Sequence, residues 1–568
     1  MSGLSTSERL KVRKQRVERL RRAILSRTLQ SPLLRWRYGA KGVCQVLIVP
    51  PDLRTADPSF WREVELGQFG LAATVAHLDR RSPFEIVPPT PAWQAALHSF
   101  DWLRHLEAAG SASADARARE LALEWTQRFR PHSGLAWAPE VTARRIISWL
   151  SHSTILLEGA DRAVYDRIAE SLETQIVHLS ATWREAPAGY PRSLSLVAIV
   201  LADLCVAGRE GQVEHGSRLL IAELQRQVMA DGGHATRNPA VIVDLALDLL
   251  PLRQCFATRG RQVPRALTET LQRMLHYLRF MRLGDGMLAR FNGVSVARPA
   301  ALSTVLAYEE QGHAAPDIAR RGGYLRIDQG ATTVIADAAA APPLDLSSEA
   351  CAGCLSFEMS HGKSLILVNG GAPGPADSDW RGAARASASH NTLVLGEASS
   401  SGLVAGKDVA ELFGGVPLAG PDHAEGTVAK SDRAGSIDMR HGGYLKRFGL
   451  MHERRLDLSE DGMTLEGTDR LMPRSGSLRL RQDVPFAIHF HLHPDAQCRA
   501  GATRSEVIVT VPDCVTAWRF SAEGAHVGVE ESIYFADSAG PRHALQIILR
   551  GTTFGETEVR WRMAADAV

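Results

Sequence analysis

Apolar and polar residues alternate with two different periods along this chain, and the change falls near its midpoint. From residue 141 to about residue 282, apolar groups recur three and four positions apart, as in V-T-A-R-R-I-I-S-W-L-S-H-S-T-I-L-L-E at 141–158. Val141, Ile146, Trp149, Leu150 and Ile155 then share one side of a helix, and similar spacing predicts helices over 162–182, 193–207, 217–230, 239–255 and 264–282. Pro239 opens P-A-V-I-V-D-L-A-L-D-L-L, a position where its missing N–H costs a helix nothing. Gly/Pro breaks at 186–191 and 230–234 separate the segments. Consecutive antiparallel helices of this kind make a bundle, a solenoid or a toroid.

After about Gly284 the runs shorten and change character. T-T-V-I-A-D, K-S-L-I-L-V-N, N-T-L-V-L-G, S-L-R-L-R-Q-D, F-A-I-H-F-H-L-H, S-E-V-I-V-T-V and A-L-Q-I-I-L-R are rich in Val, Ile, Leu and Thr, with Gly, Pro, Asn and Asp between them. This predicts antiparallel β structure, a sandwich of large sheets. The expected organisation is multidomain α+β: a basic helical segment at 1–40, a helical domain at 41–285 and a β-sandwich at 286–568. A cleft between the two larger parts is the natural place for a ligand.

Composition narrows the partners. With 568 residues, 45% hydrophobic and 23% charged, the chain can bury a large core, and a formal charge of +2 gives no reason to expect nucleic acid. The start is the exception: residues 1–30 hold nine Lys and Arg against Glu8 and Glu18. Leu10, Val12, Val17, Leu20 and Ile24 are interspersed at rough helical spacing. Such a helix either leads, solvated, into the fold or lies on a membrane surface or an acidic partner. Neither a signal-peptide pattern nor a spanning apolar run is evident, so the expected address is the cytoplasm. The seven cysteines, an odd number in a long chain, do not form a disulfide framework.

Polar groups with catalytic potential gather in a few stretches. In D-G-G-H-A-T-R-N-P at 231–239, His234, Arg237 and Asn238 stand before a helix start, which suits an anion, although Thr236 and Asn238 also suit a cap. His390 and Asn391 open the apolar strand of S-H-N-T-L-V-L. His441, Tyr444, Arg447, His452 and Arg455 crowd into 440–455, where Tyr and His together suit proton transfer. H-F-H-L-H at 489–493 puts three histidines on one strand face, a metal site or a core-edge stripe. Phosphate-binding and nucleophile-elbow motifs are missing from the sequence.

The order of these stretches resembles the heparinase II/III family of bacterial polysaccharide lyases. It is carried by W-A-P-E-V-T-A-R-R-I-I-S-W-L at 137–150, D-G-G-H-A-T-R-N-P-A at 231–240, and L-S-F-E-M-S-H-G-K-S-L-I-L-V-N-G-G at 355–371. It continues in S-H-N-T-L-V-L at 389–395, H-G-G-Y-L-K-R-F-G-L-M-H-E-R-R-L at 441–456 and L-S-E-D-G-M-T-L-E-G-T-D-R-L at 458–471. The resemblance covers roughly 130–550. It implies an incomplete (α/α) toroid followed by antiparallel sheets, and β-elimination on a uronate polysaccharide.

That reaction needs a neutraliser for the carboxylate, a base for the C5 proton and an acid for the leaving oxygen. By resemblance Tyr444, His441 and His390 would move protons, and Asn238, Arg237, His234, Arg192, Tyr190 and Asn391 would hold substrate. The resemblance also implies a structural zinc on His390, with Cys351 as its second ligand where relatives place histidine. Glu349, Cys351 and Val241 depart from the family pattern. A glycan-binding or assembly protein that keeps the fold is the alternative, and a glycoside hydrolase using Asp231 or Asp203 with Glu349 a third reading. The partners expected are an acidic polysaccharide and a second copy of the chain. By analogy with the family, the alternative address is the periplasm or cell envelope.

Overall fold

The computed structural model describes residues 9–17, 20–21, 44–129, 134–308, 320–374, 379–431, 434–474, 480, 482–501, 503, 505–512 and 514–566. The helical periodicity is realised as Pro139–Ser151 with Ser153–Leu157, Arg162–Thr182, Tyr190–Cys205, Val213–Gln227, Pro239–Thr258 and Arg265–Phe280. Every residue from Ser193 to Cys205 is buried, because this helix packs against Pro139–Ser151, Val213–Gln227 and Pro239–Thr258 at once. A helix apolar on all sides belongs at the centre of a ring of others. Pro191 lies in its first turn, so the A-P-A-G-Y-P break ends earlier than expected. Gly216 lies inside Val213–Gln227, where a Cβ would come within 3.1 Å of Val200 Cγ2; the glycine lets the two helices approach.

The helical half extends past the expected boundary at 285. Pro299–Leu306 packs on Pro239–Thr258 and Arg265–Phe280, and the sheets begin at Arg320–Arg321. A small hairpin, Gln68–Leu71 with Thr74–His77, lies within the helical half and had no signature in the periodicity.

The second half holds three larger antiparallel sheets. Five strands run in the order Arg320–Arg321, Tyr324–Gln329, Thr332–Asp337, Phe357–His361 and Ser364–Leu367. Four run His526–Tyr534, Arg542–Thr553, Val484–His491 and Leu393–Leu395. Eight run Ala424–Ser431, Ala434–His441, Leu450–Ser459, Thr464–Pro473, Thr557–Asp566, Ala517–Glu523, Glu506–Thr510 and Gln497–Ala500. Strict alternation in Leu450–Ser459 turns every second side chain inward, onto a core that joins Leu325, Phe357, Leu393, Ile488, Trp518 and Trp561 from all three sheets. Tyr324, Ile335, Leu365 and Tyr534 belong instead to the toroid's core, so the two halves share an apolar interface.

Among the described residues no helix is long and apolar enough to cross a membrane. Residues 9–17 and 20–21 of the basic segment are helical.

Candidate functional site

The starts of two toroid helices, Tyr190–Cys205 and Pro239–Thr258, meet the β half around residues 344–351. A Cβ on Gly189 would lie 3.1 Å from Leu346 Cδ2. One on Gly293 would lie 2.9 Å from Asn238 Nδ2 and 3.1 Å from Glu349 Cβ, and Gly293 has φ +97°. Glycine is therefore required where the toroid, the 292–293 turn and the Glu349 segment converge. Exposed Glu349 pairs with Arg381 at 3.2 Å, and Cys351 is half-buried beside it.

The toroid side of this junction is ionic. Asp248, nearly fully buried, accepts from Arg144 Nη1 (2.8 Å) and Nη2 (3.0 Å), from Arg54 Nη2 (2.8 Å) and from Tyr190 Oη (2.7 Å). Tyr190 Oη also accepts from Arg144 Nη2 at 2.5 Å. One turn earlier on the same helix, Asp244 takes a two-pronged bond from Arg298, at 2.7 and 3.1 Å. Burial pushes the Asp248 carboxyl up, but Arg144 and Arg54 outweigh it and hold it ionised. Burial raises the Tyr190 phenol, against the pull of Arg144, and keeps it protonated. Asp52 lies 3.8 Å from Arg54 as well, so these three arginines meet three aspartates and the cluster is ionic but balanced. The motif reading missed Arg54, Arg144, Asp248 and Arg298. A lone acid in L-A-L-D-L-L, and two arginines inside the apolar T-A-R-R-I-I, were the available signals.

The sequence profile of the heparinase II/III-like C-terminal domain matches residues 313–562. Over 527 residues the chain is 31% identical to FtsZ-localized protein C of Caulobacter vibrioides, covering 90% of this chain and 89% of the relative. Its fold is similar to a solved heparinase III (TM-score 0.67, 14% identity, 86% and 80% of the two chains). It is also similar to heparan sulfate lyase HepC of Pedobacter heparinus (TM-score 0.59, 15% identity, 91% and 84%). The chain belongs to the heparinase II/III-like family.

Within this family member, the side chains expected to move protons lie in the interior. Tyr444 is 1% exposed and its hydroxyl donates to the Leu393 carbonyl at 2.5 Å. A cavity of about 700 Å³ opens beside it, but Gly442, Gly443, Leu445 and Lys446 line that cavity while Tyr444 turns into the core. His441 is fully buried; its Nδ1 accepts from Gly443 N–H (2.9 Å), which places its proton on Nε2, facing His452 Nδ1 at 3.3 Å. His452 Nε2 in turn meets Asp469 at 2.7 Å. His390, 2% exposed, donates from Nδ1 to the Ala386 carbonyl, its ring lying against Gly353. These placements give the three residues structural bonds in place of the open acid–base geometry expected of them.

The expected substrate ligands divide. Asn391 is fully committed: it donates to the Phe357 carbonyl and accepts from His491 N–H, and its N–H bonds to Asn369. His234 is buried against Thr236, and burial lowers its pKa to about 4. Arg237 binds Asp337 and three backbone carbonyls. Asn238 caps its helix, accepting from Ala240 N–H at 2.9 Å, while its Nδ2 faces Gly293. Arg192 bonds back to the Ala186 carbonyl. Tyr190 and Asn238 remain at the convergence.

The zinc expectation does not fit these residues. Among the described residues no group of three or more His, Cys, Asp and Glu could hold a metal ion, and a structural zinc takes four ligands. Cys351 faces the Glu349 carbonyl at 3.7 Å, and burial pushes its thiol up to about 12. Cys354 is buried in the core, and all seven cysteines are free. The 489–493 stripe is also structural: His489 bonds Gln546, and His491 bonds Ser532 and the Ala388 carbonyl. Of the hydrolase candidates, Asp231 accepts from Gly233 and Gly322 N–H, and Asp203 pairs with Arg209.

Interior histidines predict an acid response. Burial lowers His98 and His234 to about 4 and His491 to about 3. It also raises Glu358 to about 7 and Asp203 to about 6. Below about pH 6.5 the unfolded chain takes up protons that these folded histidines refuse, so stability falls with pH; the two carboxyls act in the opposite sense. The histidines win, and a net loss of roughly 2 kcal/mol is expected between pH 7 and 5. His390, His441 and His452, also lowered chiefly by burial, add to it. Urea midpoints at pH 7, 6 and 5 check this, and an unchanged or rising midpoint would contradict it.

Proposed function

We propose that this protein recognises an acidic polysaccharide in the cleft between toroid and sheets, as a lyase-fold protein whose elimination chemistry is weakened or lost. The observation that carries this is the enclosure of Tyr444, His441 and His390, each bonded within the fold, while the toroid side of the junction keeps its arginines. A uronate carboxylate suits Arg298, Arg144 and the Asn238 amide, since guanidinium and amide donors make charge-assisted bonds to carboxylates. The test is calorimetric titration with a panel of uronate polysaccharides, together with ultraviolet absorbance of any unsaturated uronate product. Binding without product is expected. Arg298→Ala, at a half-exposed position, should weaken binding about tenfold, the worth of one charge-assisted contact. Absence of binding across the panel would sink the reading.

One observation favours retained lyase activity. Tyr190 Oη stands between Arg144 and Asp248, a geometry in which a phenol can give a proton to a leaving oxygen and recover it. If unsaturated product accumulates and Tyr190→Phe abolishes it, Tyr190 is the acid and the binding-only reading falls. The full-length relative is named for localisation with FtsZ, and we extend that location to this chain. A fluorescent fusion spread evenly through cells, without following FtsZ, would remove that extension.

A further inference from the structure

Trp380 is 43% exposed, whereas among the other described tryptophans Trp61 is half-buried and the rest are buried. Its ring rests against Phe535, with ring centres 5.9 Å apart and planes at 46°. Phe535 is itself buried, and its N–H donates to the Gly370 carbonyl at 2.7 Å. Two residues on, the Ala372 N–H donates to the Val294 carbonyl at 2.9 Å. On the other side of the indole, Arg381 Nη1 reaches Glu349 Oε1 at 3.2 Å, and Glu349 lies against Gly293. Both routes from Trp380 lead back to the turn at 293–294, where Asn238 also arrives from the start of Pro239–Thr258. The indole therefore stands on the sheet side of the junction, supported by Phe535 and with much of its surface open to solvent.

A pyranose ring carries C–H groups on its faces and hydroxyls around its edge. An indole is rigid, wide and apolar on its face, so it suits the first, while polar neighbours suit the second. The Arg381–Glu349 pair beside it is exposed on both partners, 44% and 49%, and such a pair contributes little in water. A ligand carboxylate can therefore take the place of Glu349 on the guanidinium at small cost. A neutral sugar would use the indole and leave the pair closed; a uronate uses both. We propose that Trp380 and Arg381 form a sugar subsite at the edge of the junction. The indole lies under the ring of a uronate residue, the guanidinium binds its carboxylate, and Glu349 is the group that this carboxylate displaces. The inference rests on the reading that the protein binds an acidic polysaccharide, and adds where one sugar sits and which residue opposes it.

Calorimetric titration of the full chain with oligomers of polygalacturonate, alginate and hyaluronate tests this, each also as its methyl ester. Trp380→Ala should bind acids and esters about tenfold less tightly, and Trp380→Phe should keep most of the affinity. Glu349→Gln should bind the acids about threefold more tightly and leave the esters unchanged, because the competitor for Arg381 is gone. Arg381→Ala should weaken binding of the acids alone. A wild type that binds none of the oligomers removes the acidic-polysaccharide reading together with this one. Binding that weakens in Arg298→Ala but not in Trp380→Ala keeps that reading and overturns this one. So does a Glu349→Gln variant that binds the acids no better than wild type, or a Trp380→Ala variant whose only change is in the oligomeric state seen by analytical ultracentrifugation.

Discussion

Replacing Asp469 with alanine is expected to remove about 3–5 kcal/mol of stability, enough to keep much of the protein from accumulating folded. Asp469 and Arg454 stand directly opposite each other on neighbouring strands, and both face inward. The carboxylate accepts from Arg454 Nε (2.8 Å) and Nη2 (3.1 Å), His452 Nε2 (2.7 Å) and Trp561 Nε1 (2.9 Å). Burial works against its charge, but Arg454 and His452 together hold it well below the usual carboxylate range. Alanine would leave a fully buried guanidinium with two carbonyl partners, Leu355 and Asn391, and no counter-charge. The remaining charge, not the lost bonds alone, sets the cost. Glu466, on the same strand but facing out and 60% exposed, is the control, and its removal should change stability by less than about 0.5 kcal/mol. Urea unfolding of both variants checks the contrast. A loss below about 1 kcal/mol for Asp469→Ala would contradict it.

Parity along the strand carried a signal for this pair that the motif reading did not use. In L-M-H-E-R-R-L-D-L-S, counting every second residue from Leu450 gives Leu, His, Arg, Leu and Leu on one face, which forces Arg454 inside with them. In T-L-E-G-T-D-R-L the same count puts Leu465, Gly467, Asp469 and Leu471 together. Gly467 was a further signal: a Cβ there would meet the Trp561 indole at 2.0 Å, so the strand is bare where the ring crosses it. The helices were legible for a similar reason, since an apolar stripe repeated over four or more turns has one helical solution. Their ends were less so, because Pro191 and Gly216 are breakers in isolation and packing devices in context.

Histidine roles were not legible, because a histidine's chemistry depends on exposure and second partners that only tertiary structure supplies. His390, His441 and Tyr444 sit in family-like words, and those words describe a fold-forming junction as well as a site. The ionic cluster was the reverse case: Arg144 and Asp248 lie in helices read only for their apolar spacing, and a 104-residue separation hid their contact. What the motifs mark in this chain is where the two halves are joined.

The joint itself gives the second large effect. Arg237→Ala is expected to cost about 3–5 kcal/mol and to uncouple the toroid from the sheets. Arg237 has φ +60°, and the following Asn238 is held extended by Pro239, so the chain turns sharply just before the helix. That turn carries the guanidinium across to the five-stranded sheet. There Nη2 bonds Asp337 (2.5 Å), Nε the Gly322 carbonyl (3.3 Å) and Nη1 the Ala339 and Ala340 carbonyls (both 3.1 Å). Its carbon lies 4.8 Å from the centre of the Tyr324 ring, whose hydroxyl donates back to the Arg237 carbonyl at 2.5 Å. Asn292 ties Tyr324 to Asp337 and accepts from the Cys351 N–H, so one network runs from the toroid to the cleft. Removing the cation leaves Asp337, only 2% exposed, without its counter-charge, and it frees the turn that sets Asn238. Arg237→Lys keeps the charge but not the fork, and should recover only part of the loss. Because the network spans the two halves, thermal unfolding of Arg237→Ala should separate into two transitions. A single transition with stability within about 1 kcal/mol of wild type would show that the shared apolar interface, and not this arginine, joins the halves.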